Sequence, residues 1–402
     1  MIDPASFNTL SPMLRDDPYS VYAALRVHTP VFWSEAEHAW ILLRHQEVTK
    51  AFTDPSLLTL DVGQFVREIS QALNEEPAEL LHLLDVALFL RNPPAHQPLR
   101  SLVARLLTAR SQASYAAEID RLARRLLAPL ARSGAIDLMD DYALPLPALV
   151  VGWLYGLSDH DALWLADMLI GVPSVLLRGR SMREYRSANR SLEQAHALLR
   201  EHIRNRRCQP ADDGLSLLVR LNHETDHPLD DHKLAALASF VFISAFETTS
   251  ASIGNGLWWL SRHPDMWNHL AARPDLASNA VEETLRLEPP IQHLRRWAHQ
   301  EQTIADRVIK AGDHMILVIA AANRDPDAYA DPDQFMLDRT KPPVISFGAG
   351  AHHCLGGWLA RLEARIAFSV VLEGPRPTAM PEKPDWLPNY VQRRMKTFQV
   401  SL

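Results

Sequence analysis

Apolar residues in this chain recur mostly at intervals of three and four, the spacing that lines one face of a helix, and strict alternation is confined to short stretches. The periodicity predicts helices over 98–107, 113–132, 142–155, 159–170, 183–205, 233–262, 276–286 and 355–372. Another, over 17–28, carries Tyr19, Tyr22, Leu25 and Arg26 at helical spacing behind an Asp-Pro opening. Alternation marks Val31-Phe32-Trp33 and residues 39–43 as a strand pair around a polar turn. Strand signals return at 292–297, 302–309 and 315–318, and the last twenty residues read as extended. The expected fold class is mainly α with minor β sheets, one domain over 1–402, with small β regions near 31–43, 292–318 and 385–402. No internal repeat or low-complexity linker divides the chain.

The apolar run over 234–246 has 13 residues before Glu247, short of the roughly 20 that span a bilayer. The first twenty residues lack the basic start and apolar stretch of a secretory signal. A soluble, cytoplasmic protein with no membrane association is expected. Composition adds exclusions. Apolar residues at 47% and charged residues at 22% rule out wholesale disorder. Lys+Arg at 41 against Asp+Glu at 48 leaves a net charge of −7, which argues against a nucleic-acid binder. The two cysteines, Cys208 and Cys354, cannot build a disulfide framework and point to a reducing compartment.

The most informative stretch is Phe347-Gly348-Ala349-Gly350-Ala351-His352-His353-Cys354-Leu355-Gly356. Its glycines and alanines allow a tight turn that lies against a flat object. An amphipathic helix, with Leu355, Leu359, Leu362 and Ile366 on one face, is expected to start directly after Cys354. A helix N-terminus favours thiolate over thiol. Such a thiolate can be an iron ligand, a nucleophile or an inert buried group. A zinc site on His352, His353 and Cys354 is poor, because adjacent side chains diverge and no second cluster has zinc spacing.

This stretch matches, at every fixed position, the haem-binding signature Phe-Gly-x-Gly-x-His-x-Cys-x-Gly, and the chain resembles the cytochromes P450 of the soluble bacterial type. The resemblance implies haem b as cofactor, with Cys354 as axial thiolate and His352 beside a haem propionate. It places Phe347 next to the sulfur and makes Gly348 and Gly356 part of the cofactor loop. Glu283-Thr284-Leu285-Arg286 followed by Pro289-Pro290 is similar to the family's Glu-x-x-Arg segment, and the stretch from Asn323-Arg324-Asp325-Pro326 to Arg339 is similar to the irregular run before its cysteine loop. A structural Glu283–Arg286–Arg339 network is implied. Val241, Ala245, Thr248 and Ser252 form a small-residue helix face. That helix resembles the family's oxygen-binding helix, with Glu247 and Thr248 as its acid–alcohol pair and Ala245 where glycine is usual. Pro93-Pro94-Ala95-His96-Gln97-Pro98-Leu99-Arg100 and Arg295-Arg296-Trp297-Ala298 are similar to its propionate-binding segments, through His96, Arg100 and Arg296.

The activity so implied is a monooxygenase that activates dioxygen to hydroxylate or epoxidise an apolar to amphipathic small molecule in specialised metabolism. The chain has no flavin or iron–sulfur motif, so electrons are expected from a ferredoxin and its reductase. Arg100, Arg105, Arg361 and Arg365 are candidate docking bases, and the protein is expected to be a monomer. Alternatives are a peroxide-driven or oxidative-coupling P450 and, of another class, a non-catalytic haem-binding sensor. Expected pocket residues include Leu83, Leu84, Val86, Leu88, Phe89, Ile170, Val172, Phe242, Ile243, Phe246, Ile291 and Leu294. The run Arg178, Arg180, Arg183, Arg186 and Arg190 is either a solvated helix face or a surface for an acidic substrate or acidic carrier protein.

Overall fold

The structure, a computed structural model, describes residues 3–73, 76–130, 136–173, 181–339, 343–378, 383–388 and 391–401. In chain order, α1 (Pro12–Asp16) and α2 (Pro18–His28) lead into the hairpin β1 (Val31–Ser34) and β2 (Ala39–Leu42). Then come α3 (His45–Thr53), β3 (Leu57–Leu58), α4 (Val62–Leu73), α5 (Ala78–Val86), α6 (His96–Leu107) and α7 (Gln112–Leu130). β4 (Ile136–Asp137) precedes α8 (Pro145–Tyr155), α9 (Asp159–Leu169), α10 (Met182–Cys208), α11 (Gly214–His223) and α12 (Asp231–Arg262). α13 (Pro264–Ala272) and α14 (Ala277–Leu287) are followed by β5 (Leu294–Ala298), β6 (Gln302–Ile304), β7 (Arg307–Ile309) and β8 (His314–Leu317). α15 (Ile319–Ala322), α16 (Gly357–Leu372) and β9 (Gln399–Val400) follow. The mainly α class with minor sheets is as expected.

The chain gathers into two compact units. One comprises Met1–Leu60, Ala123–Ala143 and Thr248–Leu402, the other Asp61–Leu122 and Leu144–Glu247. The first contains the five-stranded sheet, in the order β1-β2-β8-β5-β3. The expected hairpin is present, with Val31 opposite Leu42 and Trp33 opposite Trp40. Alternation along β8 supplies two cores at once. Ile316 packs with Phe7, Leu14, Tyr22 and Ile41 on one face, while Met315 and Leu317 pack with Leu42, Phe52 and Ile345 on the other. The strand signal at 302–309 is the hairpin β6–β7. Its two turn residues, Ala305 and Asp306, both have positive φ, which reverses the chain with the twist a two-residue hairpin needs. The extended C-terminus contributes β9, paired with β4, and single bridges from Gln392, Met395 and Ser401.

In the second unit, α10 starts with a reciprocal capping box between Ser181 and Glu184. Tyr155 and Phe242 have ring centroids 6.5 Å apart, Phe242 and Phe246 5.5 Å apart, and the Tyr155 hydroxyl donates to the Ala238 carbonyl at 2.9 Å. Phe242 and Phe246 therefore belong to an aromatic core. Helix α12 passes the length and composition test for crossing a membrane, unlike the 13-residue run considered above, but 83% of its apolar window is buried inside the protein. It is a core helix by that measure, and it runs unbroken from Glu247 of one unit into Thr248 of the other.

The expected Glu283–Arg286–Arg339 network is formed. Arg286 Nε and Nη2 donate to the two Glu283 oxygens at 2.8 and 2.9 Å, and Arg339 Nε reaches the same oxygens at 3.0 and 3.1 Å. The Met336 N–H adds a donor at 2.9 Å. Burial pushes the Glu283 carboxyl up, but the Arg286 and Met336 hydrogen bonds and the two positive charges outweigh it and hold the group below its ordinary value. The stabilisation is therefore complete above the unfolded-state value of about 4.3 and fades as pH falls through the lower folded value. E283Q should cost about 3–5 kcal/mol, since it leaves two buried guanidiniums facing a neutral amide. Urea unfolding at pH 7 measures the loss, and the variant's stability should fall less than the wild type's between pH 5 and acid.

Candidate active site and cofactor cradle

The cysteine loop is anchored before it turns. The Asn323 amide donates to Ser346 Oγ at 2.7 Å and accepts from the Ile345 N–H at 3.1 Å, and Ser346 Oγ donates to the Leu285 carbonyl at 2.6 Å. The loop then closes on itself. Gly348 N–H donates to Ile345 O at 2.9 Å, His353 N–H to Gly350 O at 3.1 Å and Cys354 N–H to Phe347 O at 3.0 Å. Gly350 has φ +68°, and a Cβ there would lie 2.7 Å from the Phe52 carbonyl oxygen. Backbone handedness and the close approach of α3 both demand glycine. Helix α16 begins at Gly357, so Cys354 lies three residues before its first turn rather than directly at it. Leu355 and Gly356 form the intervening turn. Cys354 is exposed and in no disulfide, with His352 half-buried beside it. Phe347 packs against the start of α16 under the Arg361 guanidinium, 4.3 Å from the ring centre.

Strand alternation separates the neighbouring arginines of β5. Arg295 pairs with Glu37. Arg296 is 5% exposed and stands 5.6 Å over the Phe52 ring. Its Nη1 donates to the Arg295 carbonyl at 2.8 Å, and among the described residues no carboxylate pairs with it. Burial alone pulls its pKa down to about 10. The ring beneath Arg296 also lies 3.9 Å from where a Cβ on Gly348 would stand. A buried, acid-starved cation thus sits by the glycines of the cysteine loop.

In the other unit, His96 is the first residue of α6 and 3% exposed, with Arg100 one turn further on. Burial and then the Arg100 charge hold the imidazole below its ordinary pKa. From Leu234 through Leu257, α12 is buried at every position except Ser244, Ala245 and Thr248. Those three share one face at i, i+1 and i+4. Glu247, next to Thr248, is 4% exposed. Ser252 Oγ donates to the Thr248 carbonyl at 3.1 Å.

The structure brings Phe347, Gly348, His352, Cys354, Gly356, Arg296 and Thr248 into one unit, and His96, Arg100, Ala245 and Glu247 into the other. Of the suggested docking bases, Arg105 pairs with Glu224 at 3.2 Å and Arg361 with Glu282 at 2.5 Å. Arg361 therefore braces α16 on α14 beneath the loop. Among the expected pocket residues, Phe89, Ile170, Ile291 and Leu294 keep accessible surface. Arg183, Arg186 and Arg190 are exposed on α10, whereas Arg178 and Arg180 lie outside the described residues. Sequence reasoning missed Phe52, which carries no signature of its own and contributes only through the approach of α3. It also missed the cradling role of Ser346.

The cysteine loop and Arg296 fit a flat, dianionic, iron-bearing cofactor. Arg296 lacks an acid that a carboxylate on a ligand would supply, the loop glycines leave no side chain in the way, and an accessible thiol is the donor type that binds haem iron. The cytochrome P450 family profile matches residues 266–390. A vitamin D(3) 25-hydroxylase of Pseudonocardia autotrophica is 34% identical over 88% of this chain and 85% of its own length. The crystal structure of CalO2 superposes with a TM-score of 0.91 at 26% identity, covering 99% of both chains. P450BioI, in complex with an acyl carrier protein bearing hexadec-9Z-enoic acid, superposes at 0.85 and 27% identity, covering 98% of this chain and 100% of its own. With a relative this similar over most of both lengths, and a cradle suited to haem, the chain belongs to the cytochrome P450 family and is a haem-dependent monooxygenase.

Proposed function

We propose that residues 1–402 act as one P450 domain that hydroxylates or epoxidises an apolar to amphipathic small molecule in specialised metabolism, using dioxygen and electrons from a ferredoxin and its reductase. In this reading Cys354 ligates the iron, while His96, Arg100, Arg296 and His352 serve the propionates. Phe347 shields the sulfur, and Gly348, Gly356 and Ala245 keep the approach to the cofactor clear. Haem, when bound, supplies the redox chemistry that places one oxygen atom of dioxygen in the substrate and releases the other as water. The chain's own residues control protons. Thr248 holds a proton-bearing hydroxyl at the accessible face of an otherwise buried helix, and this observation carries the reading. Glu247, its buried neighbour, is the acid that recharges it. This pairing favours dioxygen activation over the peroxide-driven or coupling alternatives, and a sensor has no need of it. The protein is proposed to work as a cytoplasmic monomer with no nucleic-acid or membrane partner.

A substrate tethered to an acidic carrier protein is a second reading. The exposed Arg183, Arg186 and Arg190 on one helix support it, as does the likeness to a P450 crystallised with an acyl carrier protein. R183Q combined with R190Q should then weaken carrier binding and flatten its salt dependence. Unchanged affinity in a salt titration removes this reading.

Four measurements test the main one. C354A should abolish the absorption of the reduced, carbon-monoxide-bound protein that is specific to thiolate ligation, and an unchanged spectrum overturns the assignment. T248A should keep that spectrum yet lower product formed per electron pair about 10²-fold, the lower end of what a positioned proton donor contributes. Turnover on peroxide alone at the dioxygen rate would favour the alternative. R296L should behave oppositely with and without cofactor. Haem-free protein should unfold at equal or higher urea, because a buried cation without an acid is gone, while loaded protein should release haem faster to apomyoglobin.

A further inference from the structure

We propose that Glu79, His82 and His232 form a binding site for a divalent transition-metal ion, zinc above all, which ties α5 to the first turn of α12. The three donor atoms lie within 4.8 Å of one another. His82 Nδ1 is 3.4 Å from Glu79 Oε2, and His232 Nδ1 is 3.5 Å from Glu79 Oε1. Donors around tetrahedral zinc, at bonds of about 2.0–2.2 Å, stand about 3.4 Å apart, so the three groups would draw in from a spacing that is now within 4.8 Å. The backbone explains the arrangement: Glu79 and His82 share a face of α5 at i and i+3, and His232 is the second residue of α12. Imidazole with carboxylate selects zinc and its neighbours over calcium or magnesium, which want oxygen donors. The His82 and His232 side chains are 27% and 54% accessible, which leaves an entry path and room for a water as fourth ligand.

Two further side chains define how the site works. His196, fully buried on α10, holds Glu79 Oε2 at 2.6 Å and so orients the carboxylate. Arg200, one turn along α10, donates to Glu79 Oε1 at 2.9 Å and to His232 Nδ1 at 3.2 Å. Its guanidinium occupies two of the donor atoms the metal would use, Glu79 Oε1 and His232 Nδ1, and two cations cannot share them. Arg200 is 20% accessible, so it can swing into solvent when a metal enters. The cluster thus has two exclusive occupants, an internal cation and an external one, and the external one cross-links residues distant in sequence.

Isothermal titration of chelator-stripped haem-loaded protein with zinc chloride tests this. The wild type should show one saturable site and a zinc-dependent rise in Tm, because zinc binds only the folded arrangement. H82A and H232A, both at accessible positions, should each weaken zinc about tenfold or more, and R200A should tighten it. Affinity unchanged in both histidine variants, or weakened in R200A, overturns the proposal. Zinc-edge anomalous diffraction provides an independent reading: a peak between the three side chains supports it, and a peak only elsewhere overturns it.

Discussion

A single buried carboxylate ties the end of α14 to the irregular segment that leads into the cysteine loop. Glu283 accepts from Arg286, Arg339 and the Met336 N–H, and Arg286 in turn donates to the carbonyls of Asn323, Pro332 and Gln334. These bonds clamp an irregular segment that has no ladder of its own to the end of α14. One residue before Arg286, the Leu285 carbonyl accepts from Ser346 and Asn323, which fix the entry to the cysteine loop. The position of Cys354 is therefore set by a chain of buried polar bonds. Losing one member strands the others in a low-dielectric interior, where repair by water is not available.

Arg296 shows the opposite design. Its guanidinium is buried with no carboxylate partner among the described residues, and burial lowers its pKa. Its neighbour Arg295 is satisfied by Glu37, so the difference is one of face rather than residue type. Such a buried cation costs stability, a cost that a negatively charged partner would offset.

Helix α12 joins these themes. A helix buried along 24 consecutive positions apart from three is built to pack, and the three accessible ones are Ser244, Ala245 and Thr248. Ala245 is small and Thr248 carries a hydroxyl, so the accessible positions are ones without bulky apolar side chains. At the start of the same helix, His232 meets Glu79, His82 and Arg200 in a cluster of quite different chemistry. One element thus presents two polar sites, each placed by what packs around it.

Much of this was legible in the linear chain. The loop from Phe347 to Gly356, the Glu283–Arg286 spacing and the long helices are local patterns, and local patterns are dictated by backbone sterics and periodicity. The sequence also marked Arg339 as the third member of the buried network, because the family likeness supplied the long-range pairing. Other features were decided only by tertiary contact. The turn at Ala305–Asp306 makes the strand signal at 302–309 a hairpin. Phe242, with Phe246 beside it, meets the ring of Tyr155 across two helices. Arg361, a plausible surface base, is held by Glu282 and Phe347. Phe52 and the Glu79 cluster join residues that are far apart in the chain, and proximity of that kind is a property of packing, which no one-dimensional pattern encodes.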